Sequence, residues 1–372
     1  MKTDSYTTLK PENLDMEHLE KYDVPTLIRA RRGLLYKDEL IKQIESNLRE
    51  RNCINDLLEL EHAEHDAEIQ NIIGICYDYG FCRVQADEKK AFGWYTKSAE
   101  QGNAAAQYYL ACCYAIGRGC KKDANKYFEW CKKSAELGDA EVQYQLGHSY
   151  RTGACCEKDK RQALKWFEKS AEQGYEEAMV YLTSCYLYGW ICKEDRYKAF
   201  EWCKRAVEQG HVFSKRMLAY LYENGIGCEK DKKKAFELYK EAAEQGIADA
   251  QYCLALYYLY GDSCEKDERK AFEWCKKAAG YGRVNANAQY LLGLFYRHGI
   301  GCEVNKKKAF VCFRKTAVYG DEKAQYCLAL CYETGDGCEK DEKKAFEWYK
   351  KASELGNEDA TQWLINRVLQ QK

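Results

Sequence analysis

The chain has 372 residues, 46% hydrophobic and 31% charged, with 58 lysines and arginines set against 59 aspartates and glutamates. That balance excludes the broad positive field that nucleic acid or an anionic membrane surface would need. No apolar run approaches the ~20 residues of a membrane span, and the opening stretch MKTDSYTTLKPENLDMEHLEK is too polar for a signal-peptide core. The sequence therefore predicts a soluble, intracellular, cytoplasmic protein without membrane insertion and with no nucleic-acid partner.

Residues 1–36 carry both prolines, Pro11 and Pro25, and are expected to be largely disordered. Over 37–65, Leu40, Ile41, Ile44 and Leu48 recur at helical spacing and predict an N-terminal helical cap. From 66 to 356 the chain repeats itself. A glycine recurs at 102, 138, 174, 210, 246, 282, 320 and 356, so that six of the seven spacings are 36 residues and one is 38. The longer spacing comes from two extra residues within Arg283-Val284-Asn285-Ala286-Asn287, an insertion that an inter-helix loop tolerates. The eight units are 66–102, 103–138, 139–174, 175–210, 211–246, 247–282, 283–320 and 321–356.

Each unit reads as a helix A, a glycine-containing loop, a helix B and a glycine stop. In the unit 247–282, Ala250, Leu254 and Tyr258 fall at i, i+4 and i+8 and predict the core stripe of helix A. The tyrosine recurs at 77, 114, 150, 186, 222, 258, 296 and 332. In helix B, Ala271, Cys275 and Ala278 share the inner face, while Glu273 and Lys277 are expected outside as an i, i+4 pair. Glu347 with Lys350 and Lys351 reads in the same way, as a solvated outer face. Loop aspartates such as Asp231, Asp267 and Asp341 are placed to cap helix B, and Gly246 or Gly356 to end it. One such hairpin cannot bury its own apolar face, so stability must come from stacking on its neighbours. Residues 357–372, with Trp363, Leu364 and Val368, predict a C-terminal capping helix that forms a last half-repeat.

The 21 cysteines raise the question of disulfides, metal or thiol chemistry. One sits in each loop, at 82, 120, 156, 192, 228, 264, 302 and 338. Equivalent positions in stacked helices lie at least ~8 Å apart, beyond the ~7 Å Cα limit of a disulfide, so these cysteines are expected to pack as small hydrophobes. Cys131, Cys203 and Cys275 take the place of the tyrosine that follows tryptophan at Tyr95 and Tyr349, inside a core column. The one His-x-x-His, His62 and His65, lacks the metalloprotease arrangement and is expected on a solvated face. No cofactor, metal or catalytic residue is predicted.

The pattern Ala-x-x-x-Leu-Gly/Ala-x-x-Tyr-x-x-Gly-x-Gly, followed by Asp-x-x-Lys-Ala-Phe-x-Trp-Tyr-x-Lys-Ala-Ala/Ser-Glu-x-Gly, closely resembles the Sel-one-like repeat family, with 321–356 as its clearest copy. The resemblance implies an all-α, right-handed superhelical solenoid of paired antiparallel helices, similar to tetratricopeptide arrays, in proteins that hold complexes together. One cysteine-rich secreted branch of that family pairs cysteines eight apart and is linked to beta-lactams, which keeps a thiol-dependent or beta-lactam-hydrolysing enzyme as the alternative. Here only Cys112 and Cys120 have that spacing.

At 100° per residue, Tyr252, Leu256 and Leu259 point away from the Ala250 stripe. In the geometry the resemblance implies, the matching positions line a concave face. They hold Tyr108, Tyr144, His148, Arg151, Arg216, Tyr220, Tyr252, Tyr290, Arg297 and Tyr326, with Glu223 and Glu333 among them. Tyrosine and arginine dominate interface hot spots, so a non-enzymatic adaptor gripping a protein or peptide partner is expected. The competing expectation is that the tyrosines at 108, 144, 252, 290 and 326 only pack against the next repeat.

Overall fold

The structure, a computed structural model, describes residues 65–80, 84–280 and 285–369. The segment expected to be disordered, the expected cap save for His65, and also His62, Cys82, Arg283 and Val284 lie outside the described residues. Among the described residues there are 17 helices and no strand. The A helices are α1 (Ala67–Tyr79), α3 (Ala104–Ile116), α5 (Ala140–Thr152), α7 (Glu176–Tyr188), α9 (Val212–Asn224), α11 (Ala248–Tyr260), α13 (Ala286–His298) and α15 (Glu322–Thr334). They alternate with the B helices α2 (Glu88–Glu100), α4 (Ala124–Glu136), α6 (Lys160–Glu172), α8 (Arg196–Glu208), α10 (Lys232–Glu244), α12 (Glu268–Gly280), α14 (Lys306–Ala317) and α16 (Glu342–Glu354). The last helix is α17 (Glu358–Leu369). The chain divides into two compact units, Met1–Leu182 with Trp190–Lys193, and Thr183–Gly189 with Glu194–Lys372. Within each unit a helix packs on the one before it and the one after it, which is a solenoid of hairpins.

The ends of the helices are fixed locally. The carboxylate of Asp231 accepts from the Lys234 amide at 3.0 Å, Asp267 from Lys270 at 2.9 Å and Asp341 from Lys344 at 3.0 Å, so the expected N-caps are in place. The same aspartates donate their own N–H groups back to the tyrosine column. Asp231 bonds the Tyr222 carbonyl, Asp267 the Tyr258 carbonyl and Asp341 the Tyr332 carbonyl, at 2.8–2.9 Å. Each loop is thereby closed across its base. A glycine in the left-handed region ends each of these A helices, as at Gly225 (φ 65°) and Gly335 (φ 77°). The second loop glycine answers a different demand. A Cβ on Gly301 would sit 1.9 Å from the Glu268 carbonyl oxygen, and one on Gly337 2.1 Å from that of Lys306, because the loop lies directly on the previous B helix.

The leucine column is buried throughout, from Ile73 through Leu110, Leu146, Leu182, Leu218, Leu254 and Leu292 to Leu328. Each such side chain contributes about 2 kcal/mol of apolar burial. The tyrosine column departs from its expected place in the core stripe. Tyr258 is only half-buried, while its neighbour Tyr257 is buried, and only Tyr186 of the column is fully enclosed. The reason is that an A helix is gripped from two sides, by its own B helix and by the preceding one, so it buries more than one stripe. The Tyr258 ring meets the preceding Phe236 edge-on at 5.7 Å, and the ammonium of Lys270 lies over it at 5.4 Å. Tyr114, Tyr222, Tyr296 and Tyr332 are held in the same way.

Helix B carries the inner face expected of it: Ala271, Cys275 and Ala278 are fully buried. The outer pair is different. Lys277 lies over the Trp274 ring at 4.0 Å in place of the expected partnership with Glu273. Lys351 lies likewise over Trp348 at 4.2 Å, and Lys350 meets Glu354 at 3.9 Å. A flat indole one turn away offers the lysine stem more contact than a mobile carboxylate does. At the C-terminal end Trp363 of α17 stacks on Tyr349 at 4.0 Å, with Leu364 half-buried and Val368 exposed.

Candidate functional site

The A helices place the expected partner-binding residues at half-buried positions, with Tyr220 more exposed. The five tyrosines each lean on a neighbouring helix. Tyr108 packs on the cluster that Cys131 and Ala135 form with Leu146. Tyr252 packs on the cluster around Ala255, Ala271 and Cys275. Tyr290 meets Phe313 at 6.1 Å, and Tyr326 meets Tyr349 at 5.7 Å. Arg216 approaches the Asp249 carboxylate at 3.8 Å, and Arg297 lies beside Cys327 and Tyr290.

Tyr144 belongs to a larger assembly. Its ring meets His148 at 4.6 Å, Phe167 at 5.5 Å, Tyr175 at 5.5 Å and Tyr181 at 6.1 Å, and Tyr181 reaches Trp190 at 6.3 Å. Arg151 donates through Nε to Nδ1 of His148 at 3.3 Å. Burial, then the neighbouring Arg151, holds the His148 imidazole below its ordinary pKa and so favours the neutral ring. Sequence reasoning missed Tyr175, Tyr181 and Trp190. Two of them had a legible signal: Tyr175 stands where other units have Asn103, Asp139 or Asp321, and Trp190 where others have Asp262 or Asp336.

The acids among the candidates act inwards. Glu223 accepts from the Tyr239 hydroxyl at 2.9 Å, and Glu333 from the Tyr349 hydroxyl at 2.6 Å and from Nε1 of Trp363 at 3.0 Å. These are structural bonds between helices.

The loop cysteines Cys120, Cys156, Cys228, Cys264, Cys302 and Cys338 and the buried Cys131, Cys203 and Cys275 are free thiols. The loop cysteines do more than fill space. Cys120, Cys228, Cys264, Cys302 and Cys338 each direct Sγ at the carbonyl of the residue seven positions earlier, at 3.4–3.7 Å. The carbonyls of Cys113, Tyr257, Phe295 and Cys331 among these also accept the N–H of the glycine that ends helix A, so the thiol joins the C-cap. Burial pushes the thiols of Cys113, Cys131, Cys203 and Cys331 up to about 12, and those of Cys253 and Cys312 up to about 11. A nucleophilic cysteine needs the opposite shift. Among the described residues no group of three or more His, Cys, Asp or Glu side chains is placed to hold a metal ion, and no helix is long and apolar enough to cross a membrane.

Stacked helical hairpins, capped alike, define an all-α repeat solenoid. Eight stretches match the model of the Sel1 repeat: 67–103, 104–139, 140–175, 176–211, 213–247, 248–280, 286–317 and 322–357. The chain belongs to the Sel1 repeat family, whose members are generally protein-interaction scaffolds. In structure it is similar to a Sel1 repeat protein from Oxalobacter formigenes, with 29% identity, coverage of 85% of this chain and 93% of that one, and a TM-score of 0.67. It shares its fold with a protective antigen of SLR fold present in uropathogenic Escherichia coli strains, at 24% identity, with 97% and 91% of the two chains covered and a TM-score of 0.59. No curated protein matches it.

Proposed function

We propose that this chain is a non-enzymatic, cytoplasmic adaptor whose row of A helices forms a concave face that grips a protein or peptide partner. The contacts are made by Tyr108, Tyr144, His148, Arg151, Arg216, Tyr220, Tyr252, Tyr290, Arg297 and Tyr326. The observation that carries this reading is the division of labour between the helices. The B helices fill the interior with alanine, cysteine and aromatic rings and cover their outer tryptophans with lysine, whereas the A helices keep aromatic and guanidinium groups half-open in successive repeats. The upward-shifted thiols count against thiol-dependent catalysis.

The test is capture of cellular protein by the full chain carrying a photo-cross-linker, placed either at Tyr220 on an A helix or at Lys204 on a B helix. Cross-linking to one defined protein from Tyr220 and not from Lys204 is the expected result. The double variants Tyr144→Ala/Arg151→Ala and Arg216→Glu/Tyr220→Glu should each weaken that capture at least tenfold, equivalent to about 1.4 kcal/mol, with the helical circular dichroism retained. Equal capture from both faces, or capture untouched by either double variant, rejects the proposal.

A further inference from the structure

The aromatic assembly of the first compact unit ends in carboxylates that form no ion pair with a described lysine or arginine. Glu141 and Glu177 occupy equivalent positions in the first turns of α5 and α7, both exposed, with Asp139 beside Glu141. Among the described residues no lysine or arginine reaches ion-pair distance of either glutamate. In the second unit the equivalent Asp249 has its cation, Arg216, at 3.8 Å. Partial desolvation, and then the neighbouring Asp139 and Glu177, push the Glu141 carboxyl up from its ordinary value. The rings lie in the same place. Tyr175 is within the influence of Glu177, Glu141 and Asp139, and it meets Tyr144 at 5.5 Å. Beyond Tyr181 the surface continues to Trp190, which is 53% exposed.

We infer that the A-helix face around Tyr144 is a docking surface for a basic peptide segment. An arginine or lysine of the segment meets Glu141 and Glu177, and flanking apolar or aromatic side chains lie on Tyr144, Tyr175 and Trp190. The complementarity is of two kinds at once. A guanidinium carries the charge that relieves the crowded carboxylates, and its flat face suits tyrosine rings at the same spot. An acidic segment would add a fourth like charge to the cluster and is disfavoured by the same geometry. This inference rests on the adaptor reading above and narrows it to one face and one partner chemistry.

The probes are two blocked peptides, Gly-Arg-Trp-Arg-Trp-Arg-Gly and its counterpart with glutamate in place of arginine, titrated calorimetrically into the full chain. The arginine peptide should bind at one site per chain and the glutamate peptide at least tenfold more weakly. The double variant Glu141→Gln/Glu177→Gln should lose about tenfold for the arginine peptide, the sum expected of two partly screened ion pairs. Its unfolding midpoint should stay at or above that of the unmodified chain, because like charges have been removed. Glu129→Gln/Glu136→Gln on a B helix should leave the affinity unchanged. Equal binding of both peptides, or an arginine-peptide affinity that ignores Glu141→Gln/Glu177→Gln, overturns the inference. A cellular partner whose capture depends on Tyr144 and Arg151 but not on Glu141 and Glu177 would overturn it while leaving the adaptor standing, whereas capture indifferent to all four residues would sink the adaptor itself.

Discussion

The hairpins α11/α12 and α15/α16 share one backbone and fill it differently. In α15/α16 the centre is a large aromatic set: Tyr349 is fully buried, its hydroxyl bonds Glu333, and Trp363 stacks on its ring and bonds the same carboxylate. In α11/α12 the same place holds Cys275, whose thiol reaches the Ala288 carbonyl at 3.3 Å, with Leu259 where Glu333 stands. The choice is made in pairs along the whole chain. Asp78, Glu223 and Glu333 accompany Tyr95, Tyr239 and Tyr349, whereas Ala115, Leu187 and Leu259 accompany Cys131, Cys203 and Cys275. Arg151 and Arg297 accompany Phe167 and Phe313. A half-buried carboxylate is kept only where a hydroxyl can satisfy it, which is the rule for polar groups in a tight interior. What the two hairpins teach is that caps and glycines set the frame, while the interior is exchanged in matched sets.

Breaking one set should have the largest effect. Tyr349→Cys removes the stack on Trp363 and strands Glu333, and should cost about 4 kcal/mol by denaturant unfolding. Adding Glu333→Leu, which completes the α12-type set, should return about 1 kcal/mol or more of that loss, whereas simple additivity of the two changes would show that the pair is not a unit. Next in size is the frame itself. Gly337→Ala forces a side chain into a left-handed position and against the Lys306 carbonyl, for about 3 kcal/mol. Ser263 holds the equivalent place with φ 60°, so Ser263→Gly should stabilise slightly, and a loss there would show that the two loops are not equivalent.

A comparably small effect concerns the buried glutamines. Gln143 donates to the Ala135 carbonyl and accepts from Gln173, but Gln107 and Gln325 have no donor for Oε1. In those hairpins the place of Gln173 is taken by Leu137 and Leu355, which are 56% and 53% exposed. Leu355→Gln should therefore raise stability by about 1 kcal/mol, read as an upward shift of the thermal midpoint; no change would mean that water already serves Gln325.

The sequence by itself determined the period, the all-α class, the alternation of two helices per unit, the aspartate caps and the glycine stops. All of these follow from interactions within a few residues of one another, and eight copies make them legible. Tertiary structure decided which faces are inside. An A helix touches two B helices, so Tyr257 is buried and Tyr258 only half-covered, and Lys277 settles on Trp274 in preference to Glu273. It also decided that the loop thiols point at helix-ending carbonyls, and that Tyr144, Tyr175, Tyr181 and Trp190 meet in one place. Residues as far apart in the chain as Tyr144 and Trp190 become neighbours only when hairpins stack, and no local spacing encodes that step.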